Sequence, residues 1–467
     1  MKADFVKIKD VENSHQCRFK PLSFLHDGQI QLRRLEANNA FNGVLSDYVD
    51  SVFRPGIFKR NFIFNKANGL AYIPAAAMMM SNPFPASKIL AIKNTPNLES
   101  MSLHKDMILV SCAGTLGKVR LIERQLDGTI GSQDIIRVVA KNRYGFIYAL
   151  LESNYTYNYI LSKAYGSVVP RLEPSTLENM PVPNISITVQ NGADNLIQES
   201  ARLREEAADE LEAADKLLKE KAGLRPLTPD DYDYFGQHSA TRKPSCFTRK
   251  SSEISSRSIN AFNYSQRLER LKESLPESRP LRNILLNNTT FSTGSFPRIE
   301  VKKGKGVMLI NQSDAFDTII NGKWISARNV NLTNLVSYGE VIVAGVGTLG
   351  ENETFCRVLF ANEDLKGQLI SGEFIRMKTT SDIPSGFLYA WLSSDYGFRL
   401  IRSTQAGTKL CRPIPEAFLD IPVPILAEEE MKEIDRMVRD AHTKRHLANV
   451  KELEAIAMVE AEIEKWN

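Results

Sequence analysis

Gly145-Phe146-Ile147-Tyr148-Ala149-Leu150-Leu151 returns 241 positions later as Gly386-Phe387-Leu388-Tyr389-Ala390-Trp391-Leu392. Pro181-Val182-Pro183 and Pro422-Val423-Pro424 keep that offset, and so do Gly166 and Gly407. Upstream, Gly114-Thr115-Leu116-Gly117 matches Gly347-Thr348-Leu349-Gly350 at an offset of 233, so insertions separate the landmarks. A period of half the chain is too long for a solenoid, whose units run about 20–50 residues. It predicts two homologous domains in one chain, with pseudo-two-fold symmetry as the economical arrangement. Two similar but non-identical modules suit a partner that is itself two-fold.

A chain of 467 residues holds two or three domains with proper cores. Its apolar share of 43% and charged share of 24% are ordinary for a globular protein. No apolar run reaches the roughly 18 residues of a membrane span. Met1 to Asp10 carries charge without an apolar stretch, so no signal peptide is expected. Cys17, Cys112, Cys246, Cys356 and Cys411 are scattered and never form a C-x-x-C pair. That pattern predicts free thiols in a reducing cytoplasm and argues against structural zinc.

The net charge of +4 gains meaning when it is divided along the chain. Residues 1–188 carry 22 basic and 15 acidic side chains, and residues 256–425 carry 20 and 16. The segments after each copy are acidic, with 5 against 9 in 189–223 and 7 against 11 in 426–467. Basic repeated modules suit a polyanion such as double-stranded DNA, because neutralising phosphates releases counterions. Modest excesses of this kind also occur without any such partner. The same sign in both copies favours nucleic acid.

The acidic segments read as long helices. Leu203, Ala207, Leu211, Ala214 and Leu218 alternate spacings of four and three, the mark of a narrow coiled-coil seam. Gly223 is placed as a C-terminal cap with Pro226 just beyond. In the second run Ile434, Val438 and Ala441 form a stripe that Ile456, Val459, Ile463 and Trp466 continue. A helix of about 35–40 residues spans about 50–60 Å, and one narrow stripe cannot hold it alone. Pairing with each other, antiparallel, is the expected arrangement; two unrelated surface helices are the alternative.

The domains themselves read as mixed. Met107-Ile108-Leu109-Val110 and Val341-Ile342-Val343-Ala344 are apolar strand-type runs, each leading into the Gly-Thr-Leu-Gly turn. Ile135 to Val139 and Phe374 to Met377 read as strands, and Phe146–Leu161 and Phe387–Ile401 as helices. The proline pairs break the chain before the long helices. The predicted fold is α+β: two homologous mixed α/β domains separated by two long helices that pair as an antiparallel coiled coil. The boundaries are 1–188, a central helix 189–223, a Ser- and Pro-rich exposed linker 224–255, a second domain 256–425 and a C-terminal helix 426–467.

The order of these motifs is specific. Strand and Gly-Thr-Leu-Gly are followed by Gly131-Ser132-Gln133-Asp134-Ile135-Ile136-Arg137, then the Gly-Phe-Ile-Tyr helix. Tyr165-Gly166-Ser167-Val168-Val169-Pro170-Arg171-Leu172, Met180-Pro181-Val182-Pro183 and a long helix complete the series. Repeated twice, this resembles the DNA specificity subunit of type I restriction–modification systems, over nearly the whole chain. The second copy departs from the first, with Ser371-Gly372-Glu373-Phe374 and Gln405-Ala406-Gly407-Thr408 at the matching places, and the extreme N-terminus matches poorly. The resemblance implies two target-recognition domains, each reading one half of a split DNA site. It also implies a non-catalytic subunit without cofactor that docks DNA adenine methyltransferase subunits, with a motor–nuclease restriction subunit joining for cleavage.

Enzyme-like motifs are each incomplete. Gly345-Val346-Gly347-Thr348-Leu349-Gly350 has the form of a dinucleotide fingerprint, but Cys112 stands where the first copy needs its first glycine, and a strand-like run follows. Asn82-Pro83-Phe84-Pro85 is a near miss to an adenine-methyltransferase motif, and Glu300-Val301-Lys302 mimics half a nuclease site whose nearest Pro229-Asp230 is far upstream. His442 and His446 lack a third zinc ligand and read as solvated helix histidines. The leading expectation is therefore sequence-specific DNA recognition; the alternatives are a protein-binding scaffold or decoy on the same fold and a degenerate methyltransferase or nuclease. Candidate phosphate contacts are Lys59, Arg60, Lys118 and Arg171 in the first copy and Lys302, Lys303, Lys305, Lys409 and Arg412 in the second. Gln133 and Lys118 are candidates for direct reading of bases.

Overall fold

Gly145 and Gly386, the first residues of the repeated heptapeptide, are glycine because nothing larger fits. A Cβ on Gly145 would lie 2.7 Å from the Asp194 carbonyl oxygen, and one on Gly386 would lie 2.6 Å from the Asp435 carboxylate. The Gly145 amide donates to Asp194 Oδ1 at 2.8 Å, and the Gly386 amide donates to Asp435 Oδ1 at 2.7 Å. An aspartate on a long helix thus satisfies an orphan donor at the start of a domain helix, where the helix dipole also favours negative charge. The contact occurs once in each half, and each pair is 49 positions apart.

The computed structural model describes residues 8–12, 24, 26–63, 66–93, 95–166, 168–228, 231, 247–254 and 258–466. They form two compact units. The first draws on residues 1–79, 87–205 and 447–467, and the second on 80–86 and 206–446. Each long helix therefore contributes to both.

In the first unit the strand Ile108–Ser111 pairs antiparallel with Val119–Leu121 and with Ile135–Ala140, and Val49–Phe53 extends the sheet. A smaller sheet is built on Gly69–Ile73, antiparallel to Lys88–Ala91 and parallel to Ile130–Gly131. In the second unit Val341–Ala344 pairs antiparallel with Val358–Phe360 and Phe374–Met377. Its smaller sheet repeats the pattern, with Val307–Ile310 antiparallel to Lys323–Ile325 and parallel to Leu369–Ile370. All four residues of both central strands are buried. Such runs, apolar on both faces, belong to strands covered on both sides.

Three local expectations change. The predicted helix Phe146–Leu161 is two helices, Tyr144–Glu152 and Asn154–Lys163, and its counterpart is Ser385–Ser393 and Asp395–Arg402. Ser153 and Ser394 make the breaks: each takes an extended backbone and accepts from the amide three residues on, as N-caps do. The proline pairs are not simple breaks. Pro181–Pro183 and Pro422–Pro424 are short strands, paired antiparallel with Phe41–Val44 and Ser278–Pro280. Proline is tolerated in such short two-stranded edges. At the start of the expected linker, Leu224 and Leu227 pack on the second unit's core and Arg225 holds Asp231 at 2.8 Å; residues 232–246 lie outside the described ones, as do Pro229-Asp230, Cys17 and Cys246.

The long helices are Ile187–Lys221 and Glu428–Glu464, of 35 and 37 residues. Gly223 takes the left-handed φ of +59° expected of its cap position. Within the first unit the helices run antiparallel: Gly192 faces Met458, Ser200 donates to the Ala448 carbonyl at 2.8 Å, and Arg204 donates to Asn449 at 2.8 Å. Within the second unit Lys221 pairs with Glu430 at 3.2 Å, and Lys444 with Glu210 at 2.5 Å, again antiparallel.

Of the seam residues, Leu203, Ala207, Leu218, Ile434, Val438, Val459 and Ile463 are buried, whereas Leu211 and Ile456 are only half-buried. The stripe is not a pure helix–helix seam. Val459, Ile463 and Ile456 join the first unit's main core, and Leu218, Leu211, Ile434 and Val438 join the second's.

Beside the stripe the first unit buries a charged chain. Arg204 holds Glu452 at 2.5 Å, Glu452 accepts from the Tyr148 hydroxyl at 2.7 Å, and Arg120 holds Glu123 at 3.0 Å. In the second unit the expectation of solvated histidines fails. His442 is buried between Phe360 and Tyr389, with ring centroids 5.0 and 5.2 Å away, and burial, aided by nearby Arg445, pushes its pKa well down. His446 contacts Asp364 at 2.6 Å.

Candidate nucleic-acid interface

The Gly-Thr-Leu-Gly turn and the downstream glycine hairpin are far apart in sequence, and backbone pairing joins them in each unit. In the first, Ala113 bridges Arg171, the Gly114 amide donates to the Pro170 carbonyl at 3.0 Å, and the Leu172 amide donates to Cys112 at 3.0 Å. In the second, Gly347 and Cys411 exchange both hydrogen bonds, at 3.2 and 2.7 Å. Gly166 and Gly407 close the hairpins with φ of +93° and +102°. A Cβ there would lie 2.3 Å from the Val169 carbonyl and 2.7 Å from the Leu410 carbonyl, so both hairpins require glycine for the same reason.

This pairing brings the Lys118 turn beside the Arg171 hairpin and sets Lys409 and Arg412 on one hairpin, all four exposed. Lys59 and Arg60 lie just before the edge strand Phe62–Ile63 of the first small sheet. Lys302, Lys303 and Lys305 sit on a turn closed by the Lys305 amide on Lys302 at 3.0 Å, ahead of Val307–Ile310 in the second. Arg60 lies 5.8 Å from the Tyr72 ring centre. Among the described residues, none of these nine cations forms an ion pair with a carboxylate. Lys118 lies within electrostatic reach of Glu152 without forming an ion pair with it, and surface cations outside an ion pair are available to an outside anion.

The two turns differ electrostatically. The residue after Gly-Thr-Leu-Gly is Lys118 in the first copy and Glu351 in the second. Glu351 is drawn inward by Arg402 at 2.8 Å and Arg399 at 3.3 Å. Arg357 stacks 3.7 Å from the Phe398 ring centre beside them, and burial brings its pKa down to about 10. The second turn therefore offers no cation where the first offers Lys118.

Gln133, the expected base reader, is half-buried, and its Oε1 is buried without a hydrogen-bond partner among the described residues. Its loop rests on Arg137, a buried guanidinium that the sequence presents only as one residue of a strand. Arg137 donates to the carbonyls of Gly131 at 2.7 Å, Ser132 at 2.9 Å and Ile135 at 2.6 Å, and reaches Met101 at 3.2 Å. Burial lowers its pKa to about 10. Arg376, on the matching strand, instead pairs with Glu340 at 2.8 Å, both about 1% exposed, and donates to the carbonyls of Asn334 and Leu335. The same residue type under the same strand thus pins different loops in the two copies. The signal in the sequence is an arginine inside an otherwise apolar strand, present twice.

The enzyme-like motifs have structural explanations. Asn82 accepts from the Phe84 amide at 3.2 Å and shapes a local turn. Glu300 pairs with Lys323 at 2.5 Å. Gly345 lies against the Glu373 carbonyl, and the strand Val358–Phe360 follows rather than a helix. Among the described residues no group of histidine, cysteine and carboxylate side chains could hold a metal ion, and no helix is long and apolar enough to cross a membrane. Cys112, Cys356 and Cys411 are buried free thiols.

No protein-family model and no curated protein matches the chain. Solved structures do. The crystal structure of a type I restriction–modification system S subunit from M. genitalium is similar at 16% identity over 93% of this chain and 98% of that one, with a TM-score of 0.36. The HsdS subunit from Thermoanaerobacter tengcongensis is similar at 13% identity over 90% of this chain and 95% of that one, with a TM-score of 0.26. A structure described as the basis of complex assembly and conformational transition of the type I R-M system is similar at 15% identity over 89% and 97%, with a TM-score of 0.26.

Proposed function

We propose that this chain is a non-catalytic DNA-specificity subunit of a type I restriction–modification complex. Residues 1–188 and 256–425 act as target-recognition domains, 189–223 and 426–467 as the helices that couple them, and 224–255 as the connection. Each domain reads one half of a bipartite, asymmetric target in double-stranded DNA. The chain docks adenine methyltransferase subunits, and a motor–nuclease subunit joins them. The cytoplasm is its site of action.

One observation carries this reading. A single assembly, consisting of a Gly-Thr-Leu-Gly turn bridged to a glycine hairpin with exposed cations, occurs once in each unit. The cations differ between copies, which suits half-sites of different sequence. Phosphate contacts position and base contacts specify, so Arg171, Lys409 and Arg412 are assigned to phosphates. Lys118 stands nearest to a base-reading role. Gln133 reads bases only if its loop releases the buried amide oxygen.

The test is a methylome. Cells expressing the chain with its methyltransferase subunits acquire adenine methylation at a split site with two unlike halves. A continuous palindromic motif overturns the bipartite reading. Absence of new methylation alongside normal assembly favours the scaffold alternative.

A further inference from the structure

Both glycine hairpins end in an exposed aliphatic side chain. Val168 is 90% exposed and Val169 46%; Leu410, which holds the place of Val169 at the 241-residue offset, is 61% exposed. Exposed aliphatics in isolation need no explanation, but three features set these apart. The same geometry presents them twice: Gly166 turns onto the Val169 carbonyl as Gly407 turns onto that of Leu410. Their bases are braced: Tyr165 donates to Glu173, which Arg54 also holds at 3.2 Å, and in the second unit Gln405 and Ala406 pair with Pro413 and Arg412, while Asn263 donates to the Gln405 carbonyl at 3.0 Å. And an exposed arginine follows each tip, Arg171 and Arg412, with Lys409 beside the second.

A braced hairpin with an apolar tip and a cation at its shoulder has the chemistry of a wedge for duplex DNA. The cation engages a phosphate, and the aliphatic group, which can read no donor or acceptor, enters between base pairs and unstacks them. We infer that Val168 and Val169 in one unit and Leu410 in the other are apolar prongs that unstack a single base step in each half of the target. The inference rests on the DNA-recognition reading above. Charge favours an anionic partner, since both tips are flanked by cations that lack carboxylate partners among the described residues, and duplex DNA supplies phosphates for those cations beside base steps for the aliphatic tips.

The experiment uses the full chain assembled with its methyltransferase subunits and a duplex carrying the mapped site, with 2-aminopurine placed at successive positions. The expected result is a fluorescence rise at one step in each half-site. Leu410→Ala removes the rise in one half only, Val168→Ala with Val169→Ala removes it in the other, and each weakens binding roughly tenfold. Specific binding by the unaltered complex with no rise, or a rise that survives both variants, overturns the prongs and leaves the DNA-recognition reading standing. Loss of methyltransferase assembly in Leu410→Ala, with DNA affinity of any assembled complex unchanged, overturns them in favour of a protein contact. If the unaltered complex binds no DNA sequence preferentially, the underlying reading fails and the prongs fail with it.

Discussion

Arg376 and Glu340 illustrate how one residue pair can matter more than its surroundings suggest. Both are about 1% exposed, and Glu340 is the only carboxylate the Arg376 guanidinium touches among the described residues. Removing one member of a buried pair leaves the other charge uncompensated, at about 3–5 kcal/mol, whereas replacing both with apolar groups is often close to neutral. Glu340→Ala is therefore expected to lower the urea midpoint strongly, and Glu340→Leu with Arg376→Met to restore most of it. A small loss in the single variant would show the pair to be idle.

Glu152 supplies a pH signature. Burial, reinforced by the charge of Glu452, raises its pKa to about 8, against partial relief from Lys118 and the Val119 amide. A carboxyl raised in the folded state holds a proton that the unfolded chain has released. Stability therefore falls as pH climbs from about 4.5 to about 8. Glu152→Gln keeps the neutral form and should flatten that slope; a slope equal to that of the unaltered protein would assign the pH dependence elsewhere. Neither Glu340 nor Glu152 announces itself in sequence, because the surroundings of a charge are set by tertiary packing and not by local pattern.

At the scale of elements, periodicity is a sound guide. Leu203, Ala207 and Leu218 are buried at the seam spacing while Leu211 between them is half-buried, and Gly223 takes the left-handed φ of a helix cap. What spacing cannot reveal is that a stripe serves two purposes. Val459 and Ile463 lie in a domain core, and Arg204, off the stripe entirely, reaches Glu452 on the opposite helix. Polar contacts between antiparallel helices depend on axial register, which a repeat of three and four leaves undefined. The serine caps Ser153 and Ser394 are hidden for another reason: apolar and aromatic residues recur at three-to-four spacing on either side of them, so periodicity outvotes capping chemistry.

Three variants separate these contributions. Ala207→Leu forces extra methylenes into a fully buried position and should cost about 1–3 kcal/mol. Arg204→Met strands Glu452 and should cost about 3–5 kcal/mol, with Arg204→Met and Glu452→Met together costing much less. Chemical denaturation of the single and double variants measures both, and equal loss in the single and double Arg204 variants would mean that packing, not charge, holds this contact.

For the whole molecule the repeated motifs are legible from the offset alone, while the differences between the two halves are legible only in part. Lys118 against Glu351 can be read from an alignment of the halves, but that Glu351 is held inward by Arg399 and Arg402 depends on helix Asp395–Arg402, far along the chain. If the two hairpins each place one arginine on a phosphate, each contributes one released counterion. The logarithm of affinity then falls by about 0.9 per phosphate for each tenfold rise in salt. Arg171→Ala and Arg412→Ala should each reduce the slope by about 0.9, and the two together by about 1.8, because the contacts belong to separate half-sites and share no partner. Glu351→Lys should add a contact only if the new cation escapes Arg399 and Arg402, so it is expected to destabilise the second turn rather than to steepen the slope. Neither arginine variant should change the methylated sequence, since a phosphate contact positions the protein without reading a base. A shift in sequence preference in Arg171→Ala confined to one half-site would instead make Arg171 a base reader.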